Sequence, residues 1–134
     1  STRDVDAIYM HSDCVYSEST VQTLKELDQY APRGEEGHIF IAAIDGCSGN
    51  LALIREGSTD QASGQPIPDF GSMVVEYIQK KLNGEAIEEG QVVQEGALWS
   101  PAQLKMTDVG FQLFLSTTDI SIDNIDNPGL WGNQ

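Results

Sequence analysis

Positive charge is scarce in this chain: Lys and Arg number 7 against 21 Asp and Glu, a formal net charge of −14. Nucleic acids and anionic membrane surfaces are held by basic faces, so neither is expected as a partner. Long apolar runs are also missing. No stretch approaches the roughly 18 residues that span a bilayer, and no basic-then-apolar leader opens the chain. Histidine is limited to His11 and His38, which leaves no visible metal cluster or catalytic His pair. A nucleophile elbow and a Gly-rich phosphate loop are absent too, so an enzyme such as a small hydrolase or reductase is not expected. No cofactor is called for.

Cysteine is nearly absent, with only Cys14 and Cys47. Each follows the end of an expected strand, after His11-Ser12-Asp13 and after Asp45-Gly46. If those strands are parallel neighbours, their end loops lie side by side and a Cys14–Cys47 disulfide is within geometric reach. Two unrelated buried thiols are the plain alternative. Cys14 has no neighbouring His in sequence to activate it as a nucleophile.

What remains is an ordinary globular composition, 40% hydrophobic and 7% aromatic over 134 residues, enough for one modest core. Asp4–Met10 reads as a buried strand, nearly continuous in apolar residues as parallel strands are. A helix follows over Ser17–Tyr30, capped by Ser17 or Ser19, with Thr20, Val21, Leu24 and Leu27 on one stripe. Pro32, Gly34 and Gly37 break the pattern into a loop. His38–Ile44 is the most strand-like run of the chain, and Asp45-Gly46 turns out of it. Leu51, Leu53 and Ile54 form a short helix that Gly57 closes. Thr59–Gln65 is a third strand, so poor in large side chains that an edge position is expected. Pro66 and Pro68 hold the backbone extended, Asp69 caps the next helix, and Phe70–Leu82 carries Met73, Val74, Tyr77, Ile78 and Leu82 at helical spacing. Beyond Gly90 the pattern becomes irregular β: Val92-Val93, Ala97–Trp99 and Phe111–Leu115. The tail from Asp119 to Gln134 is acidic and expected to be solvated. Its Asp119, Asp123, Asn124 and Asp126 hint at a calcium loop but miss the EF-hand spacing.

The order β-α-β-α-β-α predicts an α/β fold with a parallel sheet in three α-β-α layers, Rossmann-like. In such sheets ligands sit beyond the carboxyl ends of the strands. Asp45 ends one strand and Gln65 another. An ionised carboxylate accepts hydrogen bonds from adjacent hydroxyls, and an amide both donates and accepts. Together they suit a polyol. Ser12, at the end of the first strand, offers a hydroxyl to the same edge. Each has a plain alternative: Asp45 as a turn former, Gln65 as a polar residue before prolines, Ser12 and Asp13 as an N-cap pair. Trp99 and Trp131 offer faces on which a sugar could stack, Trp99 being the stronger candidate, though packing is the commoner role of such residues.

DAIYMHSD, FIAAIDG, the short helix ending in EG, ASGQPIPDFG, a helix ending in LNGE, and the tail DNIDNPGLWGN occur in the order found in type 1 periplasmic binding proteins. The chain resembles the C-terminal portion of these sugar-binding subunits of bacterial ABC importers, such as ribose- and galactose-binding proteins. The resemblance covers about Val5 to Leu104 and the tail, and the spacing from Asp45 to Gln65 matches the ribose-binding members. It implies a type I periplasmic-binding-protein-like fold with an incomplete C-terminal lobe. On that basis residues 1–65 are the C-terminal-lobe part. Residues 66–98 are a hinge crossing with a helix and strand belonging to the other lobe, and residues 99–134 are a return segment and tail. It implies that Asp45 and Gln65 contact sugar hydroxyls, with a membrane permease as partner and no chemistry performed. Ser12 stands where the family has Asn, so the ligand is expected to differ from ribose. The loop Tyr30–His38 is longer than the family's.

The resemblance also implies a missing lobe. With Ser rather than Met at position 1, a processed or cut chain is expected, one that is marginally stable or dimerises to cover its apolar faces. Location would be periplasmic or extracellular, with a lipoprotein tether open. The alternatives on the same fold are the effector-binding core of a LacI-type transcription regulator and a periplasmic sensor domain feeding a histidine kinase.

Overall fold

A computed structural model describes residues 5–134. The described residues are mixed α/β, with three α-helices and a mostly parallel four-stranded sheet among them. It divides into two compact units. One comprises the residues up to Gln65 together with Asp119–Gln134, and the other is Pro66–Thr118.

In the first unit, β1 (Ala7–Met10) runs into α1 (Asp13–Glu26), β2 (Phe40–Asp45), α2 (Ser48–Glu56) and β3 (Gln61–Gly64). Neighbouring strands β1 and β2 are parallel, as are β2 and β3. The alternation of side chains along a strand decides what each face does. Met10, Ala43 and Ala62 occupy matching positions across the three strands and so share a face. Met10, Ile41 and Ala43 pack with Leu24 of α1, while Ala62 packs with Leu51 and Ile54 of α2. Both helices therefore lie on that one face. On the other face stand Tyr9 and Phe40, and Tyr9 is 67% exposed. Among the described residues of this unit both helices cover one face of the sheet, so two of the three expected layers are seen here.

Several local expectations change. Helix α1 begins at Asp13, four residues before the expected Ser17 start, and Leu27 is its exposed C-cap rather than part of the buried stripe. The expected first residue of β1, Asp4, lies outside the described residues. The third strand is not at an edge. Its position in the order β1-β2-β3-β7 is interior, with β7 (Thr118–Ile120) on its far side. Small residues there allow close packing: Ala62 is fully buried among Leu51, Ile54, Ile120, Ile125 and Leu130.

Those last three residues belong to the tail, which is not a solvated strand of acid. Ile120, Ile125 and Leu130 complete the core of α2, and several polar residues are tied down. Asn124 accepts the Ser121 N–H at 2.9 Å, and Arg55 of α2 donates to Asp126 at 3.0 Å and to Asn133 at 2.9 Å. Gly57, with φ of 76°, closes α2 in the left-handed conformation expected of it. At the amino ends of the strands, Asp60 accepts from Arg33 Nε at 3.1 Å and the Ile41 N–H at 2.8 Å, and faces His38 Nε2 at 3.0 Å. This buried cluster fastens the long loop between α1 and β2.

In the second unit, α3 (Ile67–Leu82) starts at the N-cap Pro66, earlier than expected. Asp69 is inside its first turn rather than its cap, and its carboxylate accepts the Trp99 indole N–H at 3.1 Å. Strands β4 (Gly90–Val92), β5 (Ala102–Thr107) and β6 (Gly110–Phe114) form an antiparallel sheet. Ala97–Trp99 is a turn region, not an extended piece, and β5 was hidden because its inward Ala102 and Leu104 alternate with Gln103 and Lys105.

Candidate functional site

The carboxyl ends of β1, β2 and β3 bring Ser12, Asp45 and Gln65 to one edge. Ser12 is the N-cap of α1, yet its hydroxyl does not cap that helix. It donates instead to Asp45 Oδ2 at 2.6 Å, across from the next strand end. Gln65 joins the pair through its backbone: its N–H donates to the Asp45 carbonyl at 2.9 Å. A carboxylate with one oxygen engaged by a hydroxyl keeps further lone pairs for other donors. The edge can therefore receive hydroxyl or amine donors.

Asp45 is held in an uncommon conformation, with φ of 113°, and Gly46 follows with φ of 90°. A positive φ is costly for a non-glycine residue and persists only where neighbours impose it. At Gly46 an added Cβ would also sit 2.7 Å from Ile120 Cδ1. Glycine is required there on both counts.

Beneath this edge lies Asp13, which the residue pattern assigned to capping α1. Its side chain serves a different helix. Asp13 Oδ2 accepts the Gly46 N–H at 2.8 Å and Asn50 Nδ2 at 3.1 Å, and Oδ1 accepts the Cys47 N–H at 3.1 Å. Cys47 is the N-cap of α2 and its own side chain makes no cap bond. The carboxylate thus holds the two amides that lead into α2, Gly46 and the N-cap Cys47, at the end of the helix where the dipole also favours a negative charge. Asn50 is itself fixed, since its Oδ1 accepts the Thr59 hydroxyl at 2.9 Å. Burial raises the Asp13 pKa above the ordinary value of 3.8. The three hydrogen bonds pull the other way, and the nearby Asp45 charge adds a small upward push.

Next to Asp13, Cys14 and Cys47 are joined in a disulfide, their Cα atoms 5.4 Å apart. The parallel pairing of β1 with β2 places the two strand ends side by side, and the bridge and the Asp13 carboxylate both link the start of α1 to the loop that leads into α2. Asp13 and the two sulfurs cluster closely, but the sulfurs are consumed in the bond and offer no thiolate to a metal.

Trp99 lies in the second unit, is only 3% exposed, and spends its indole N–H on Asp69. Trp131 is in the first unit, and its indole N–H donates to the Asp45 carbonyl at 2.7 Å. Trp131 was expected as a stacking face and Asp13 as a cap of α1, and Asn50 was not singled out; the bonds that bring the three to this edge were not legible. Their partners lie 33 to 86 positions away along the chain, and no local pattern signals such bonds.

No protein-family model matches the chain, and no curated protein matches it.

Proposed function

We propose that this chain is part of a solute-binding protein of the type 1 periplasmic class, and that the edge formed by Ser12, Asp45 and Gln65 is one wall of a site for a small sugar or polyol. The observation that carries the reading is the Ser12–Asp45 pair at parallel strand ends, with the Gln65 backbone bonded to the same residue. Charge-assisted hydrogen bonds to a carboxylate are the strong kind, and two adjacent sugar hydroxyls suit its two oxygens. In this reading a second lobe closes over the edge by a hinge motion, and a membrane permease recognises the closed form. The protein binds and releases without chemistry.

The Cys14–Cys47 bridge supports an extracytoplasmic location, since structural disulfides persist in oxidising compartments. The net charge of −14 weighs against the DNA-bound regulator on the same fold.

The test is calorimetric titration of the full-length gene product with a panel of monosaccharides and polyols. Saturable binding by the wild type and a loss of about tenfold or more in Asp45→Ala are expected, in keeping with the worth of a hydrogen bond to a charged group. Equal affinity in the two proteins would remove Asp45 from the site.

A further inference from the structure

We propose that Trp131 is a positioning residue for the Ser12–Asp45 pair, an inference that rests on reading this edge as the ligand wall. The peptide between Asp45 and Gly46 is gripped at both ends. Its carbonyl oxygen accepts the Gln65 N–H at 2.9 Å and the Trp131 indole N–H at 2.7 Å. Its N–H donates to the buried Asp13 carboxylate at 2.8 Å. Two consecutive residues of positive φ, Asp45 and Gly46, flank this peptide. The plane of the peptide sets ψ of Asp45 and φ of Gly46, so the grip holds the strained residue in the orientation that faces its carboxylate toward Ser12.

The Gln65 contact is main chain to main chain and continues the contact between the ends of β2 and β3. Trp131 supplies a side-chain contact from 86 positions away. The tail is built to bring it there. A Cβ added to Gly132 would run into the Gly46 carbonyl oxygen and would lie 2.7 Å from Leu51 Cδ1 and 2.9 Å from the Ser48 nitrogen. The tail backbone therefore lies directly against the strand-end loop. Leu130 is buried in the α2 core on one side of Trp131. On the other, Asn133 donates to the carbonyls of Ile125 and Asn127 at 2.8 and 2.9 Å. A tryptophan anchored on both flanks, with its single donor aimed at one strained carbonyl, does more than fill space.

The experiment replaces Trp131 in the full-length protein by β-(3-benzothienyl)alanine, which keeps the bicyclic shape and deletes the N–H, and separately by Phe. The Asp45 carboxyl carbon is followed by NMR, assigned with Asp45→Asn, beside thermal melting and titration with D-ribose and D-galactose. With the isostere, the melting temperature should stay near that of the wild type. The Asp45 carboxyl resonance should move toward its position in Ser12→Ala, and affinity for whichever saccharide binds should fall about fivefold, the worth of one neutral hydrogen bond. Trp131→Phe should repeat the resonance change with a lower melting temperature. An unmoved Asp45 resonance in the isosteric variant would overturn the proposal. So would failure of that variant to fold, since the bond would then serve the fold as a whole. If neither of these nor any member of the monosaccharide and polyol panel binds the wild type, the sugar reading fails, and the carboxyl resonance still decides the role of Trp131.

Discussion

The two units of this chain differ in how far their helices bury apolar residues. In the first, Leu51, Ile54, Ile120, Ile125 and Leu130 close one core, and Met10, Leu24, Ile41 and Ala43 another. In the second, α3 has the cleanest helical spacing in the chain, yet none of its residues is buried. Val74, Val75, Ile78 and Leu82 are exposed, as are Met106, Phe111 and Phe114 of the antiparallel sheet. Apolar periodicity says that a helix has a face to bury, and says nothing of whether the same chain supplies the surface to bury it on. The first unit also ties its polar groups across long separations, through Asp13, Asp60 and Arg55. In the second, the polar bond spanning the greatest distance along the chain joins Asp69 to Trp99.

Leucine truncation gives the largest contrast. Leu51→Ala, at 0% exposure, should cost about 2–5 kcal/mol of unfolding free energy in urea titrations. Leu82→Ala, at 80% exposure, should stay within about 0.5 kcal/mol. Similar losses at both positions would mean that α3 is covered in solution.

The next effect is expected at Asp13. Asp13→Ala strands the Gly46 and Cys47 amides and the Asn50 side chain, and an unsatisfied buried donor costs about 1–3 kcal/mol. Asp69→Ala frees a single indole donor and should cost less. The reverse ranking, measured by the same unfolding experiment, would erase the difference in polar organisation between the units.

Opening the Cys14–Cys47 bridge, which closes a span of 33 positions, should cost about 2–4 kcal/mol in the chain-entropy view. Because Asp13 links the same two segments, the loss should fall at the lower end. Proteolysis under a dithiol reductant should then quicken first in the segments around Cys14 and Cys47. Cleavage confined to Pro66–Thr118 would show that the bridge does not govern local opening of the first unit.

The smallest effect concerns pH. The Asp13 carboxyl has its pKa raised in the folded protein, so the folded state binds this proton more readily than the unfolded chain. Its contribution to stability is therefore greatest below the ordinary value of 3.8 and declines as pH rises from there through the raised folded value. Asp13→Asn lacks that dependence. The stability gap between wild type and Asp13→Asn should widen on acidification from neutrality. A gap that narrows would show that the hydrogen bonds outweigh burial.

Much of the first unit was legible because it is built from local signals. The apolar runs of β1 and β2, the Gly57 stop of α2 and the turn at Asp45-Gly46 follow from neighbouring residues, and α/β alternation follows from their order. With parallel strands, Ser12, Asp45 and Gln65 must share an edge. The pairing of Asp13 with the start of α2 and of Trp131 with Asp45, and the place of β7 beside β3, were not legible. Nor was the placement of both helices on one face of the sheet.

The sequence by itself therefore determined which segments up to Gln65 become helix and strand, and which polar residues stand at the strand ends. Only the tertiary structure decided what those residues touch, that β3 is interior, and that Ile120, Ile125 and Leu130 of the acidic tail enter the core. The physical reason is range. Propensity and periodicity act over one or two turns of chain, whereas a buried carboxylate or an indole N–H is satisfied by whichever group the packing of distant elements delivers within hydrogen-bonding distance.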